Sequence, residues 1–196
     1  MKILLATRNP AKIKDYQRIL EEEGLSIATL ESLGIKDEFK EAASTFEENA
    51  KAKTLFYHQL SGLPTLADDG GFEIDYLKGQ PGVLSRRWID PTRESSDQEI
   101  VEHLSQIILK IPLDQRTARF TTVLCLVKSA EEIYFAENSI TGQLTEKFHS
   151  GYPKGFPYRA HFVEKTFSRH LMDLTEEEYD QINHRRKNVK EIIGYL

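Results

Sequence analysis

The chain has 196 residues, of which 39% are hydrophobic and 29% charged, a balance that suits one globular domain with a substantial core and excludes a disordered or fibrous protein. A formal net charge of −5 argues against broad nucleic-acid binding, yet leaves room for a local basic pocket that takes a small anion. The single cysteine, Cys125, rules out an intrachain disulfide framework, and its apolar neighbours mark a buried structural thiol. The apolar run after Lys2 is too short for a signal peptide or a membrane span, so the expectation is a cytoplasmic protein without a membrane partner.

Residues 2–6 form a brief apolar run, the mark of a buried strand. Asn9 and Pro10 then read as helix cap and first helical residue, and Ile13, Tyr16, Ile19 and Leu20 recur at helical spacing up to Gly24. Thr7, Arg8, Asn9 and Lys12 therefore sit at a strand-to-helix junction, where free N–H groups and the helix dipole favour phosphate. The alternative there is an ordinary turn with solvated basic residues. No Walker-type G-x-x-x-x-G-K-[ST] pattern occurs in the chain. Residues 26–30 suit a second strand, and the charged, loop-like segment up to residue 43 carries Glu41. Ser44 and Thr45 offer caps for a helix running to about Leu60. On that helix Asn49 and Lys53, one turn apart, either present an amide and an ammonium to one ligand or line a solvated face.

Residues 66–87, LADDGGFEIDYLKGQPGVLSRR, are explained worst by packing alone. An apolar run stops at Asp68 and Asp69, and Gly70 and Gly71 follow, so the expectation is a strand that ends in carboxylates. The glycines would then permit positive φ and close approach of a ligand to the main chain. A second Gly/Pro-rich loop, with Gly79, Pro81 and Gly82, leads to Ser85, Arg86 and Arg87, a set that suits a metal-bound phosphate better than a hairpin tip. Beyond it, Ser95 or Ser96 caps a helix bearing Ile100, Val101, Leu104, Ile107 and Ile108. Two strands at 118–127 and 133–141 read as a hairpin with Phe120, Val123 and Phe135 in the core. Residues 142–157 read as a loop, around whose end Tyr152, Phe156 and Tyr158 are either stacking platforms for a base or packing anchors. Thr175 caps a short acidic helix, and Asn183 opens a last helix with His184, Arg185, Arg186 and Lys187 in its first turns. Those basic residues oppose the helix dipole, a conflict that often marks a site meeting an anion.

Glu41, Asp68 and Asp69 offer oxygen ligands suited to Mg²⁺ or Mn²⁺, while Arg8, Lys12, Lys53 and Arg87 offer cations suited to phosphate. Clustered acids in a phosphate site require a metal, because otherwise they would repel a triphosphate. The chemistry open to such a set is in-line attack of water on phosphorus, with a carboxylate orienting or deprotonating the water.

These residues resemble the non-canonical purine nucleoside triphosphate pyrophosphatases, the inosine triphosphatase or Ham1-like family. TRNPAK from Thr7 is similar to TGNxxK, TFEENAKAK from Thr45 to TFxENAxxKA, and LADDGGFEIDYLKGQPGVLSRRW to ADDSGLxVxxLxGxPGVxSARY. GFPYRAHF from Gly155 resembles GFGYDPxF, and NHR at Asn183 resembles SHR. Five blocks in the family's order are specific where one would not be. The resemblance implies one domain over residues 1–196. That domain is an elongated, curved α/β mixed sheet flanked by helices, in two lobes with a central cleft, usually a homodimer. The implied activity is hydrolysis of a nucleoside triphosphate to monophosphate and pyrophosphate.

Carried over, Asp69 is the proton acceptor and a metal ligand, Glu41 a second metal-site carboxylate and Asp68 a supporting acid. Thr7, Asn9, Lys12 and Lys53 would hold the triphosphate, Phe156 would stack on the base, and His184 with Arg185 would contact the purine edge. Arg8, Asn49, Gly70, Ser85, Arg87, Pro157, Tyr158, Arg159, Tyr179 and Asn183 are further candidates for substrate binding. Departures from the pattern gather at the base: Arg159 replaces an aspartate, Tyr179 a lysine and Asn183 a serine. Arg8 and Gly70 depart elsewhere, from a glycine and a serine. The expectation is therefore the family's chemistry with base selectivity relaxed or shifted. A nucleotide-binding or sensing protein with weak turnover is the reading from another class, disfavoured by the intact acids.

Overall fold

The structure, a computed structural model, describes residues 2–196. Along the chain lie β1 (Lys2–Leu5), α1 (Pro10–Glu22), β2 (Ser26–Thr29), α2 (Phe46–Ser61), β3 (Thr65–Ile74) and β4 (Gln80–Gly82). Then come α3 (Asp97–Ile108), β5 (Thr117–Val127), β6 (Ile133–Leu144), β7 (Phe162–Glu164), α4 (Glu176–Ile182) and α5 (His184–Ile192). The strands form one sheet in the order β2-β1-β3-β5-β6-β7, with β4 paired to β3. β1 is parallel to β2 and β3, whereas the β3/β4 and β6/β7 pairs are antiparallel. The chain is thus α/β, a mixed sheet flanked by helices. Among the described residues no helix is long and apolar enough to cross a membrane.

Two compact units divide the chain. The first comprises the chain up to Asp69 with Thr122–Asn138 and His184–Leu196, and the second Gly70–Thr121 with Ser139–Asn183. In the first unit successive strand residues serve opposite faces, as the period of two requires. Ile3, Leu5, Leu66, Leu124 and Leu126 pack with Tyr16, Ile19 and Leu20 of α1 and Val189 and Ile192 of α5. Leu4, Ala6 and Ala67 pack with Tyr57 of α2, and Val123, Cys125 and Val127 with Ala50. Both faces are covered, which is why these strands read as continuous apolar runs. Local chemistry sets the helix ends: Asn9 Oδ1 accepts from the N–H groups of Ala11 at 2.9 Å and Lys12 at 3.3 Å. Thr45 caps α2, and Gly62 at φ +66° ends it.

The second unit is built on Phe72, whose ring stacks on Tyr158 at 4.7 Å and meets Phe120 at 4.8 Å and Phe162 at 5.9 Å. Ile100, Leu104 and Ile108 of α3 join the same cluster. Capping boxes, Ser96 with Glu99 and Thr175 with Glu178, start α3 and α4.

Several expectations are corrected. β3 does not stop at the acids: it runs through Asp68, Asp69, Gly70 and Gly71 to Ile74, and positive φ occurs at Gly79 and Gly82 instead. The chain can stay extended because the buried charge of Asp68 is met by a cation from α1, so the acids need no turn to reach water. Residues 72–82 do form a hairpin, with Phe72 opposite Gly82 and Ile74 opposite Gln80. β6 continues three residues past Thr141 because Gly142, Gln143 and Leu144 pair with β7. Phe135 is 37% exposed, since its neighbour Ala136 takes the core face of β6.

Candidate active site

The first unit holds the three carboxylates singled out from the sequence and, of the four cations, Arg8, Lys12 and Lys53, whereas Arg87 belongs to the second unit. β3 carries Asp68 and Asp69 on successive positions, hence on opposite faces of the strand. Asp68 is 1% exposed, with Lys12 Nζ at 2.9 Å from Oδ1 and Arg185 Nε at 3.7 Å from Oδ2. Burial works against its charge, but Lys12, Arg185 and Lys53 outweigh burial and hold the carboxyl at about 2. Asp68 is a permanent anion at neutral pH.

Asp69 is tuned the other way. Burial and then the nearby charge of Glu41 push its carboxyl above the usual carboxylate range, against the pull of Lys53, Lys12 and a hydrogen bond with Asn49. Glu41, on the loop before α2, is ion-paired with Lys53. Burial would lower the Lys53 ammonium, yet Glu41, Asp68 and Asp69 raise it overall, so it stays charged. Asn49 also fixes the Glu41 loop, its Oδ1 accepting from the Ala43 N–H at 2.9 Å. The spacing of Asn49 and Lys53 therefore does place both beside the acids, an amide for the loop and an ammonium for Glu41.

A divalent cation fits this donor set. Glu41 raises the carboxyl of Asp69 by repulsion, and such a pair is stabilised by a cation between them. Among the described residues no group of three or more His, Cys, Asp or Glu side chains could hold a metal ion. Mg²⁺ commonly needs only one or two carboxylates, taking its remaining ligands from water and substrate phosphates. Glu41 and Asp69 would hold it here.

The remaining predicted residues of this unit have definite tasks. Arg8 donates to the carbonyls of Ile35 at 2.8 Å and Asp37 at 3.0 Å, so in this structure it anchors the loop leading to Glu41. Thr7 Oγ1 accepts from the Asn9 N–H at 3.2 Å, bracing the strand-to-helix junction. His184 is buried at the start of α5, and Arg185, also buried, reaches Asp15 at 3.1 Å as well as Asp68. Arg186 pairs with Glu22 at 2.6 Å. The anions that Arg185 and Arg186 meet are thus carboxylates of the chain itself.

The second unit holds the rest. Ser85 Oγ accepts from the Phe72 N–H at 2.9 Å and donates to the Gly82 carbonyl at 2.6 Å, closing the hairpin. The Tyr158 hydroxyl donates to the Ser85 carbonyl at 2.6 Å, and its ring is buried on Phe72; it is a packing anchor, not a platform. Arg159 lies over the ring of Phe156, 4.6 Å from its centroid, and donates to the Tyr179 hydroxyl at 3.1 Å. Gly70 is a β3 residue, Arg87 is partly exposed, and Pro157 and Asn183 are buried.

The sequence reading placed neither Asp15 nor Tyr16 at the site, although it named Tyr16 among the apolar positions of α1. Asp15 pairs with Arg185, and Tyr16 lies fully buried with its phenol held protonated, by burial first and by the Asp68 charge second. Their signal was available: Asp15 and Tyr16 stand three and four positions after Lys12, on the same side of α1.

An α/β chain with adjacent, oppositely tuned carboxylates among lysines and an arginine has the make-up of an enzyme that hydrolyses phosphoanhydrides. The Ham1 family model matches residues 3–195, and the chain belongs to the Ham1 family. It is 33% identical over 193 residues to a dITP/XTP pyrophosphatase of Bacillus subtilis, covering 98% of this chain and 96% of that one. With the dITP/XTP pyrophosphatase of Pectobacterium atrosepticum it shares 34% over 197 residues, covering 100% and 98%. Among solved structures, the nucleoside-triphosphatase / dITP/XTP pyrophosphatase of Mycobacterium abscessus superposes with a TM-score of 0.76 at 32% identity, covering 98% and 99%. The Ham1 protein of Staphylococcus aureus gives 0.83 at 25%, covering 100% and 97%.

Proposed function

We propose that this chain hydrolyses nucleoside triphosphates of hypoxanthine and xanthine, ribo or deoxy, to monophosphate and pyrophosphate, with Mg²⁺ as cofactor and Mn²⁺ as a possible substitute. Family membership, with relatives matched end to end, makes it a nucleoside triphosphate pyrophosphatase. The observation that carries the residue assignment is the contrast between Asp68, held ionised at about 2, and Asp69, raised by burial and Glu41. A carboxyl raised in this way is better matched to accept a proton than one held at the bottom of the range.

In this reading water attacks the α-phosphorus, Asp69 takes its proton, and the bond from that phosphorus to the bridging oxygen breaks to release pyrophosphate. Lys12 and Lys53 hold the phosphate oxygens. When bound, the divalent cation neutralises phosphate charge as the leaving group departs. Asp68 keeps Lys12 and Arg185 in place. Phe156 stacks on the base, and His184 and Arg185 serve its edge, assignments that rest on the family resemblance. A homodimer in the cytoplasm is part of the same reading.

Pyrophosphate release from ITP, XTP, GTP, ATP and pyrimidine triphosphates, with and without Mg²⁺, tests it. Metal-dependent release from the oxopurine substrates is expected. Tight nucleotide binding without release would favour the sensing alternative.

A further inference from the structure

In the second unit one arginine has a donor without an acceptor. Arg159 belongs to the 3-10 turn Pro157–His161, and its guanidinium carbon lies 4.6 Å from the Phe156 centroid and 5.6 Å from that of Tyr179. Its Nη2 is engaged by the Tyr179 hydroxyl. Its Nε, by contrast, is buried and has no hydrogen-bond partner among the described residues. Leaving a buried donor unmatched is costly, and a ligand that brought an acceptor there would remove that cost. The adjoining surface is an aromatic ring, which selects a planar ligand.

We propose that Arg159 is a specificity-determining residue that reads exocyclic carbonyls of the base, and that this chain prefers xanthine over hypoxanthine nucleotides; this rests on the nucleotide reading above. A base laid on the same face of Phe156, edge to edge with the guanidinium, meets the N–H groups in its own plane. Arginine donates and cannot accept, so the amino group of adenine faces only donors and is rejected. Hypoxanthine offers one exocyclic carbonyl. Xanthine offers two, and it sheds a ring proton slightly below neutral pH, which places a negative charge opposite a guanidinium that is always positive. Tyr179 holds the guanidinium in position through its hydroxyl and ring. Arg159 and Tyr179 thereby act as one unit, and the selectivity shift expected from their departures acquires a direction.

The test compares kcat/KM for XTP, ITP, GTP and ATP in wild type, Arg159→Met, Arg159→Lys and Tyr179→Phe. Alongside, calorimetry measures Kd for XMP and IMP. Wild type is expected to favour XTP over ITP by about tenfold or more, the size of a charge-assisted hydrogen bond. Arg159→Met should bring that ratio near one, mainly through KM, and Arg159→Lys should retain part of it. An unchanged ratio in a folded Arg159→Met protein, or a wild type that favours ITP, overturns the proposal. If no triphosphate yields pyrophosphate, the pyrophosphatase reading fails by itself. The XMP to IMP ratio then decides: an Arg159-dependent preference for XMP sustains the inference, and its absence ends it.

Discussion

The ammonium of Lys12 lies 2.9 Å from Oδ1 of Asp68, a carboxylate with 1% of its surface exposed, and this contact separates the roles of two adjacent acids. Burial raises both carboxyls, but Lys12, Arg185 and Lys53 outweigh it at Asp68, whereas at Asp69 burial and Glu41 outweigh the pull of Lys53 and Lys12, so the neighbours are driven in opposite directions. Asp68→Asn leaves two largely buried cations short of a partner, which should cost about 3–5 kcal/mol of stability. Asp69→Asn instead removes a strained charge. It should lower kcat by about 10²-fold or more while the melting temperature stays level or rises. Thermal melts beside steady-state kinetics check both, and equal destabilisation by the two substitutions would contradict the division of roles.

The site of attack can be read from isotope placement. In ¹⁸O-water the label should appear in the monophosphate, with pyrophosphate unlabelled. Orthophosphate as first product, leaving a diphosphate, would place the cleavage elsewhere.

Chelation should stop pyrophosphate release, and added Mg²⁺ should restore it. A second readout avoids turnover altogether: Mg²⁺ together with a non-hydrolysable triphosphate should raise the melting temperature. The gain corresponds to about 2.7 kcal/mol when the ligand is at a hundred times its Kd. Equal shifts with and without the metal would argue against Glu41 and Asp69 as its ligands.

Acid should weaken the second unit through its buried histidines. Burial lowers both His161 and His170, and His161 is held between the Thr145 carbonyl at 2.9 Å and Ser105 Oγ at 2.8 Å. A lowered imidazole in the folded state means that folding disfavours its proton. No cost arises above the ordinary value of about 6.5, and the cost grows as pH falls toward the folded-state value. The urea midpoint should therefore decline as pH is taken below about 6.5, and His161→Gln should flatten that decline.

Gly142 is required for packing where β6 meets β7. A Cβ placed there would fall 2.2 Å from the Val163 carbonyl oxygen and 2.5 Å from the Phe162 ring, so neither backbone nor core can give way cheaply. Gly142→Ala should destabilise by about 1–3 kcal/mol or more, measured by urea unfolding. A neutral outcome would mean that β7 shifts to accommodate the methyl.

Much of this protein was determined by its sequence alone. Asn9 and Thr175 cap the helices they appeared to cap, and Thr45 and Ser96 are the caps among the paired candidates, because a cap needs only its own side chain and N–H groups two or three residues on. Cys125 is buried, its thiol pushed up to about 11 by burial, as its apolar neighbours implied. The residue types of the candidate site were equally legible, basic residues at the first strand-to-helix junction and paired aspartates after an apolar run. Tertiary structure decided the rest. Asp68 meets its cation from 56 positions away, and Arg185 meets Asp15 from 170 positions away, distances at which local pattern is silent. Hence β3 passes straight through acids that looked like a turn, and Phe135 lies outside the core that Ala136 faces. Hence, too, the carboxyls of Asp68 and Asp69 are shifted in opposite directions: the proton affinity of a buried acid depends on which charges the fold brings beside it, and two adjacent aspartates read alike until those neighbours are in place.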